Sequence, residues 1–245
     1  MARAAVPGRL SWRVATIKAT RDETASARTL ILDVPGWTGH LAGQHVDVKL
    51  TADDGYSAQR SYSIASAPEA GRLELTVQRL SDGEVSPYLT EVAEPGDQFQ
   101  LRGPIGGWFV WHDTGAPLLL IAGGSGVVPL MSMIRARDEI KSKVPVRLIY
   151  SVRAPADIIY RAELDERARG SALQLTYLYT RTAPAGVRTG RINADVIAEA
   201  APPASERPTI YLCGPSGFVE AASSLLIAAG HAPDTIKTER FGPTS

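Results

Sequence analysis

The chain has 245 residues, 44% of them apolar, and its 26 lysines and arginines balance 26 aspartates and glutamates to a formal net charge of zero. That length suits one large domain or two of ordinary size, and the charge balance removes any global pull toward nucleic acid or an anionic membrane surface. The single cysteine, Cys213, excludes an internal disulfide, a cysteine-held iron–sulfur cluster and a Cys-rich zinc site, and His40, His45, His112 and His231 lack metal-ligand spacing, so no metal site is expected.

From residue 10 to 110 the sequence reads as short strands. WRVATIKAT, ARTLILDV, HVDVKL, RSYSIAS, LELTVQRL and DQFQLRG alternate in polarity or are rich in β-branched residues, and the turn-rich clusters PGWTGH, ADDGYS, APEAGR and EPGD separate them. This spacing predicts an antiparallel barrel or sandwich. One helix is expected in it, SPYLTEVA, with Ser86 as N-cap and Pro87 in the first helical position.

After WHDTGAPL the period changes. PLLLIAG, VRLIYSV, LQLTYLY and TIYLCG are apolar strands alternating with the helical stretches VVPLMSMIRARDEIKS, IYRAELDERAR, NADVIAEAA and FVEAASSLLIAAG. That alternation predicts a parallel sheet covered on both faces, with DTIKTERF as a last strand or tail. The chain therefore divides into two domains, 8–113 and 114–245, an α/β plus β architecture: an N-terminal antiparallel β-barrel followed by a parallel-sheet, Rossmann-like nucleotide domain. No apolar run reaches the roughly 18 residues of a membrane span, and MARAAVPGRLSW lacks the apolar segment of a secretory signal. A reducing cytoplasm is the expected compartment.

The turn IAGGSGVVPL (121–130) carries Gly123, Gly124, Ser125 and Gly126 between the first strand of the second domain and its first helix. An open α/β sheet binds nucleotides at such a turn, where glycines let backbone amides approach a pyrophosphate. Tight packing is the other reading. In QRSYSIAS, Arg60 and Tyr62 share a strand face with Ser63 beside them. They offer a phosphate fork, a ring to lie against another ring, and a hydroxyl, although a solvated edge strand with a buried tyrosine would look the same.

RSYS (60–63), GEVSPYL (83–89), RGPIG (102–106), GGSGVVP (123–129) and YLCGP (211–215) occur in one order. Together they resemble the ferredoxin–NADP reductase superfamily, in particular the single-flavin reductase modules of oxygenase electron-transfer chains, from about Trp12 to Phe241. The resemblance implies a flavin-binding barrel joined to a pyridine-nucleotide domain, with FAD favoured over the mononucleotide because two places can hold phosphates. It implies that Arg60, with Ser61, holds the flavin pyrophosphate, that Tyr62 lies against the isoalloxazine, and that Ser63 sits near N5. It runs Val77, Gln78 and Arg79 beside the isoalloxazine and ribityl chain, and puts Gly83, Glu84, Val85 and Ser86 at the diphosphate. The glycine turn would serve the nicotinamide nucleotide. Cys213 would sit beside the nicotinamide with Gly214 and Pro215 shaping the pocket, which makes Tyr62, Ser63 and Cys213 the residues at the reacting rings. For Cys213 a small buried hydrophobe is the alternative. For Glu239 and Phe241, packing against the sheet stands beside an approach to the flavin.

The second strand of the nucleotide domain ends at Arg153, while Asp157 is expected to cap the following helix. Thr180 and Arg181 end the third strand, followed by Arg188 and Arg191. NADP-specific relatives carry a Ser–Arg or Thr–Arg pair here and a basic residue about ten positions later. Arg153, Thr180, Arg181 and Arg191 match such a set, so NADPH is expected over NADH; solvated loop arginines are the other reading. The expected activity is hydride uptake from NADPH and single-electron delivery to a separate acceptor, a ferredoxin or another redox protein. A free-flavin reductase and a non-catalytic nucleotide-binding subunit are the alternatives. After TERFGPTS, where relatives often continue into a ferredoxin domain, none is expected here.

Overall fold

The computed structural model describes residues 10–68, 72–170, 173–187 and 189–242. Its first half is a six-stranded antiparallel sheet of β1 (Arg13–Thr24), β2 (Ala27–Asp33), β3 (His45–Thr51), β4 (Ser57–Ser63), β5 (Leu73–Gln78) and β6 (Gln98–Ile105), in the order β4-β3-β6-β1-β2-β5. The end strands β4 and β5 meet at one isolated bridge, Ile64↔Leu75, so the barrel is open along that seam. Alternation fixes which face turns inward: Ala15 and Ile17 of β1, Leu30 and Leu32 of β2, and Val46 and Val48 of β3 all join one apolar cluster.

The second half is a five-stranded parallel sheet of β7 (Leu118–Gly123), β8 (Val146–Val152), β9 (Gln174–Tyr179), β10 (Thr209–Pro215) and β11 (Ile236–Phe241), ordered β11-β10-β7-β8-β9. The central strand β7 is buried throughout, as a strand covered on both faces must be. Helices α2 (Val127–Glu139), α3 (Arg161–Arg169), α4 (Ala194–Ala200) and α5 (Ser216–Ala228) connect the strands. Val219, Ala222 and Leu226 of α5 recur at helical spacing and close one apolar layer with Leu119, Ile121 and Leu212. Asn193 starts α4 by accepting the Val196 amide at 3.0 Å.

Two expected caps are corrected. The barrel helix α1 (Val85–Pro87), continued by a π-helical turn at Tyr88–Val92, begins after Glu84, and among the described residues no side chain caps it. Ser86 lies inside it, and its Oγ accepts the Leu80 amide at 3.0 Å, closing the loop that precedes the helix. Asp157 accepts the Ala154 amide at 3.0 Å and braces a 3₁₀ turn at Pro155–Asp157 instead of α3. That helix starts after Tyr160, whose left-handed backbone (φ 61°) breaks the run begun at Ile158.

Candidate active site

The open seam brings together the first set of singled-out residues. Arg60, Ser61, Tyr62 and Ser63 lie on β4, the edge on one side; Val77 and Gln78 end β5 on the other, and the start of α1 borders the seam. The Arg60 guanidinium is exposed and donates only to its neighbour's carbonyl, Gln59 O, at 2.7 Å. Among the described residues no carboxylate pairs with it, so its fork is available to an anion. Tyr62 is half-buried, and burial pushes its phenol up to about 12. The Ser61 hydroxyl donates to Asp47 at 2.6 Å, a carboxylate that also accepts Arg102 at 2.9 Å. Arg79 is drawn to Glu91, and Glu84 accepts the Tyr56 hydroxyl at 2.9 Å.

The second set meets at a topological switch. With β7 as the first strand of its sheet, the order runs 3-2-1-4-5, and the direction of winding reverses between β7 and β10. Ligands of open α/β sheets bind in the crevice at the carboxyl ends of such a pair. The turn Gly123–Gly126 leaves β7 there, and Cys213, Gly214 and Pro215 end β10 beside it. Gly126 has an ordinary helical φ of −61°, yet a Cβ on it would collide with the Cys213 carbonyl. Gly124 has a φ of +55°, which favours glycine. Phe218, at the start of α5, lies across both turns: a Cβ on Gly123 or Gly214 would fall 2.8 or 2.9 Å from its ring.

The two places face each other. Ser63 pairs with His45 across β4 and β3, and Cys213 with Glu239 across β10 and β11. His45 Nδ1 lies 3.9 Å from Glu239 Oε1. Ser63, His45, Glu239 and Cys213 thus form one row crossing from barrel to nucleotide sheet. Gln78, at the end of β5, has its Oε1 within 3.8 Å of where a Cβ of Gly124 would stand. Burial raises the Glu239 carboxyl to about 7, and among the described residues its Oε2 has no hydrogen-bond partner. Burial, with Glu239 adding to it, pushes the Cys213 thiol well up, so it stays protonated. Burial pulls His45 down against the opposing pull of Asp47. Phe241 ends β11 beside Pro215 and is 37% exposed.

The arginines gather at the far end of the same sheet edge. The Arg181 and Thr182 amides donate to Arg153 O at 2.9 and 3.0 Å, the Thr180 amide to Val152 O at 2.9 Å, and the Gly190 amide to Tyr179 O at 2.8 Å. This brings Arg153, Thr180, Arg181 and Arg191 to the carboxyl ends of β8 and β9. The three arginines are exposed. Arg188 lies outside the described residues. Sequence reasoning did not single out His45 or Phe218, because nothing local marks a residue whose partner lies in the other domain or across a neighbouring turn.

An open barrel seam carrying an anion fork and a half-buried ring, set against a glycine-lined switch point, defines a flavin- and pyridine-nucleotide-binding oxidoreductase. Residues 12–110 match the family model for an oxidoreductase FAD-binding domain, and residues 120–224 that for an oxidoreductase NAD-binding domain. The chain belongs to the ferredoxin–NADP reductase superfamily. It is 33% identical over 230 residues to the reductase subunit of glycine betaine monooxygenase from Pseudomonas aeruginosa, covering 91% of this chain and 62% of that one. It is 32% identical over 234 residues to an NADPH oxidoreductase of Mycobacterium tuberculosis, covering 92% and 59%. It thus spans about three-fifths of the length of these relatives. The flavohem-like FAD/NAD-binding domain of a Vibrio cholerae nitric oxide dioxygenase has the same fold, with a TM-score of 0.85, 24% identity, and coverage of 94% and 99%. Among the described residues no helix is long and apolar enough to cross a membrane.

Proposed function

We propose that this chain is a FAD-dependent oxidoreductase that takes hydride from NADPH and passes electrons singly to a separate redox protein. The observation that carries the reading is the row Ser63–His45–Glu239–Cys213, which sets the barrel seam and the nucleotide switch point face to face. Hydride transfer needs two rings held together in a dry stack, so positioning supplies most of the rate enhancement.

The residues fit the two groups. Arg60 is an exposed guanidinium that no carboxylate pairs among the described residues, Tyr62 offers a half-buried ring face, and Ser63 a hydroxyl at the inner end of the seam. Gly83, Glu84, Val85 and Ser86 follow on from it, with Val77, Gln78 and Arg79 as the opposite wall. FAD bound in this seam supplies the chemistry that joins a two-electron hydride donor to a one-electron acceptor. Gly123, Gly124, Ser125 and Gly126 leave room for a pyrophosphate against backbone amides, while Cys213, Gly214 and Pro215 wall the nicotinamide end. The protonated thiol of Cys213 acts by shape alone.

Arg153, Arg181 and Arg191, with Thr180, form the seat for a 2′-phosphate, which favours NADPH over NADH. The relative that is an NADPH oxidoreductase supports this choice. The relative that is a monooxygenase reductase subunit supports delivery to a separate component, a ferredoxin or another redox protein. The division of the chain at residues 113 and 114, in the loop between β6 and β7, belongs to this reading, as does a cytoplasmic location.

Anaerobic mixing of the purified yellow protein with NADPH and NADH, followed by a panel of acceptor proteins, tests the proposal. Bleaching of the flavin spectrum by NADPH and turnover with one-electron acceptors are expected. A spectrum unchanged by either nucleotide would refute it.

A further inference from the structure

Behind the candidate active site, a polar contact joins the barrel and the nucleotide domain beside their shared apolar packing. On the barrel side, Ala27, Ala42 and Ala65 pack into the nucleotide domain's apolar cluster, together with Phe109 and Trp111 of the segment that leads out of the barrel. A cleft of about 1070 Å³ with charged walls runs beside them between the domains. Directional bonds cross the boundary there. Tyr160, buried and held in its left-handed backbone, donates its hydroxyl to Thr76 of β5, and Thr76 meets Thr29 of β2 at 2.7 Å. Arg135 of α2 stacks over the Tyr160 ring at 4.9 Å. Its Nη1 donates to Ala65 O at 2.8 Å and reaches the buried Glu74 at 3.4 Å, and its Nη2 donates to Glu163 at 2.6 Å. One turn earlier on α2, the buried Ser132 hydroxyl donates to Ser66 O at 2.7 Å.

The barrel ends of these bonds belong to the two segments that form the seam. Ala65 and Ser66 continue from Ser63 of β4, and Thr76 precedes Val77 and Gln78 on β5. The nucleotide-domain ends belong to α2, the helix that begins at the glycine turn, and to the loop that runs from Arg153 to Tyr160. The contact therefore ties both walls of the seam to the elements that would hold the hydride donor, without touching either ring site.

We propose that Tyr160 and Arg135, acting on Thr76 and Ala65, are positioning residues that set the distance between the flavin seam and the glycine turn. Loosening them slows hydride delivery while leaving each nucleotide's binding intact. This rests on the functional reading above. A misplacement of ~1 Å costs about a hundredfold in rate, so a partly loosened contact should cost about tenfold.

Tyr160→Phe and the isosteric Thr76→Val each remove one hydroxyl, and Thr76→Ser returns it. The measurements are the limiting rate of flavin reduction by NADPH in anaerobic stopped flow, NADPH affinity, FAD content and photochemical flavin reduction, together with hydrogen exchange of residues 60–66 and 123–135 in the apoprotein. The expected result is an about tenfold slower reduction in Tyr160→Phe and Thr76→Val, with affinity, FAD content and photoreduction unchanged, faster exchange in both segments, and recovery in Thr76→Ser. Wild-type rates and exchange in the first two variants would overturn the proposal, as would a slowing in Thr76→Ser equal to that in Thr76→Val. If NADPH and NADH leave even the wild-type flavin oxidised, the functional reading fails. The exchange comparison then still decides whether the contact holds the domains.

Discussion

The carbonyl oxygen of Arg153 accepts the amide of Arg181 at 2.9 Å, so the loops that follow β8 and β9 form one surface. Two guanidiniums 28 positions apart in the chain are thereby committed to the same end of the sheet, where a 2′-phosphate would need them. Charge-assisted bonds of roughly 1.5–3 kcal/mol each correspond to about 10–100-fold in affinity. Arg181→Ala and Arg153→Ala should each raise the KM for NADPH by that factor and leave that for NADH within about twofold. Steady-state kinetics with both nucleotides checks this, and an equal loss for the two would remove the 2′-phosphate role.

At Gly126 the requirement is for space, since its φ is ordinary and a Cβ would run into the Cys213 carbonyl. Gly126→Ala should force β7 and β10 apart at the switch point and cost about 1–3 kcal/mol of stability. NADPH binding should weaken more than tenfold in a nucleotide titration, while FAD content stays at the wild-type level because the barrel seam is untouched.

Arg60 is exposed and bound to no carboxylate among the described residues, so its removal should not disturb the fold. Arg60→Ala is expected to retain the wild-type circular dichroism and melting temperature of the apoprotein and to bind FAD about 10–100-fold more weakly. Absorbance at the flavin bands after gel filtration reads the loss directly, and full FAD retention would count against the pyrophosphate role.

Burial raises the Glu239 carboxyl to about 7 from an ordinary 4.5. A group raised in the folded state contributes its stability at low pH and loses it as pH rises through the folded value. The neighbouring Cys213 thiol is pushed up and His45 pulled down by burial, so neither brings a compensating positive charge near neutrality. Apoprotein Glu239→Gln should therefore melt higher than wild type at pH 8 by roughly 2–6 °C. The gap should close as pH falls toward 4.5, in a series of melts across that range.

Much of the fold is legible because burial imprints a period on each segment. The alternation of HVDVKL and the unbroken PLLLIAG announce a half-exposed and a doubly covered strand, and both strands form where the pattern puts them. The caps were less legible. Ser86 before a proline and Asp157 before an apolar run carry the local signature of helix starts. Ser86 is instead used by the Leu80 amide, and the left-handed backbone at Tyr160 moves the start of α3 to Arg161. In the site, Arg60, Tyr62, the glycine turn and Cys213 stand out by residue type and context. His45 does not, because its significance comes from Glu239, nearly two hundred positions away.

By itself the sequence determined the kinds of element, their order, the change from a strand-only half to an alternating one, and the motifs whose family resemblance implies a flavin and a nicotinamide nucleotide. These are encoded locally, in which side chains can face a core and which backbones can turn or admit a phosphate. Only the tertiary structure decided that β10 lies beside β7, making the switch point, and that His45 meets Glu239 across the domains. It alone decided that Tyr160 and Arg135 close on Thr76 and Glu74, partners 84 and 61 positions apart. A side chain's pattern says that it will be buried or bonded; which distant group it meets is set by strand order and domain docking, through the summed packing of the whole chain.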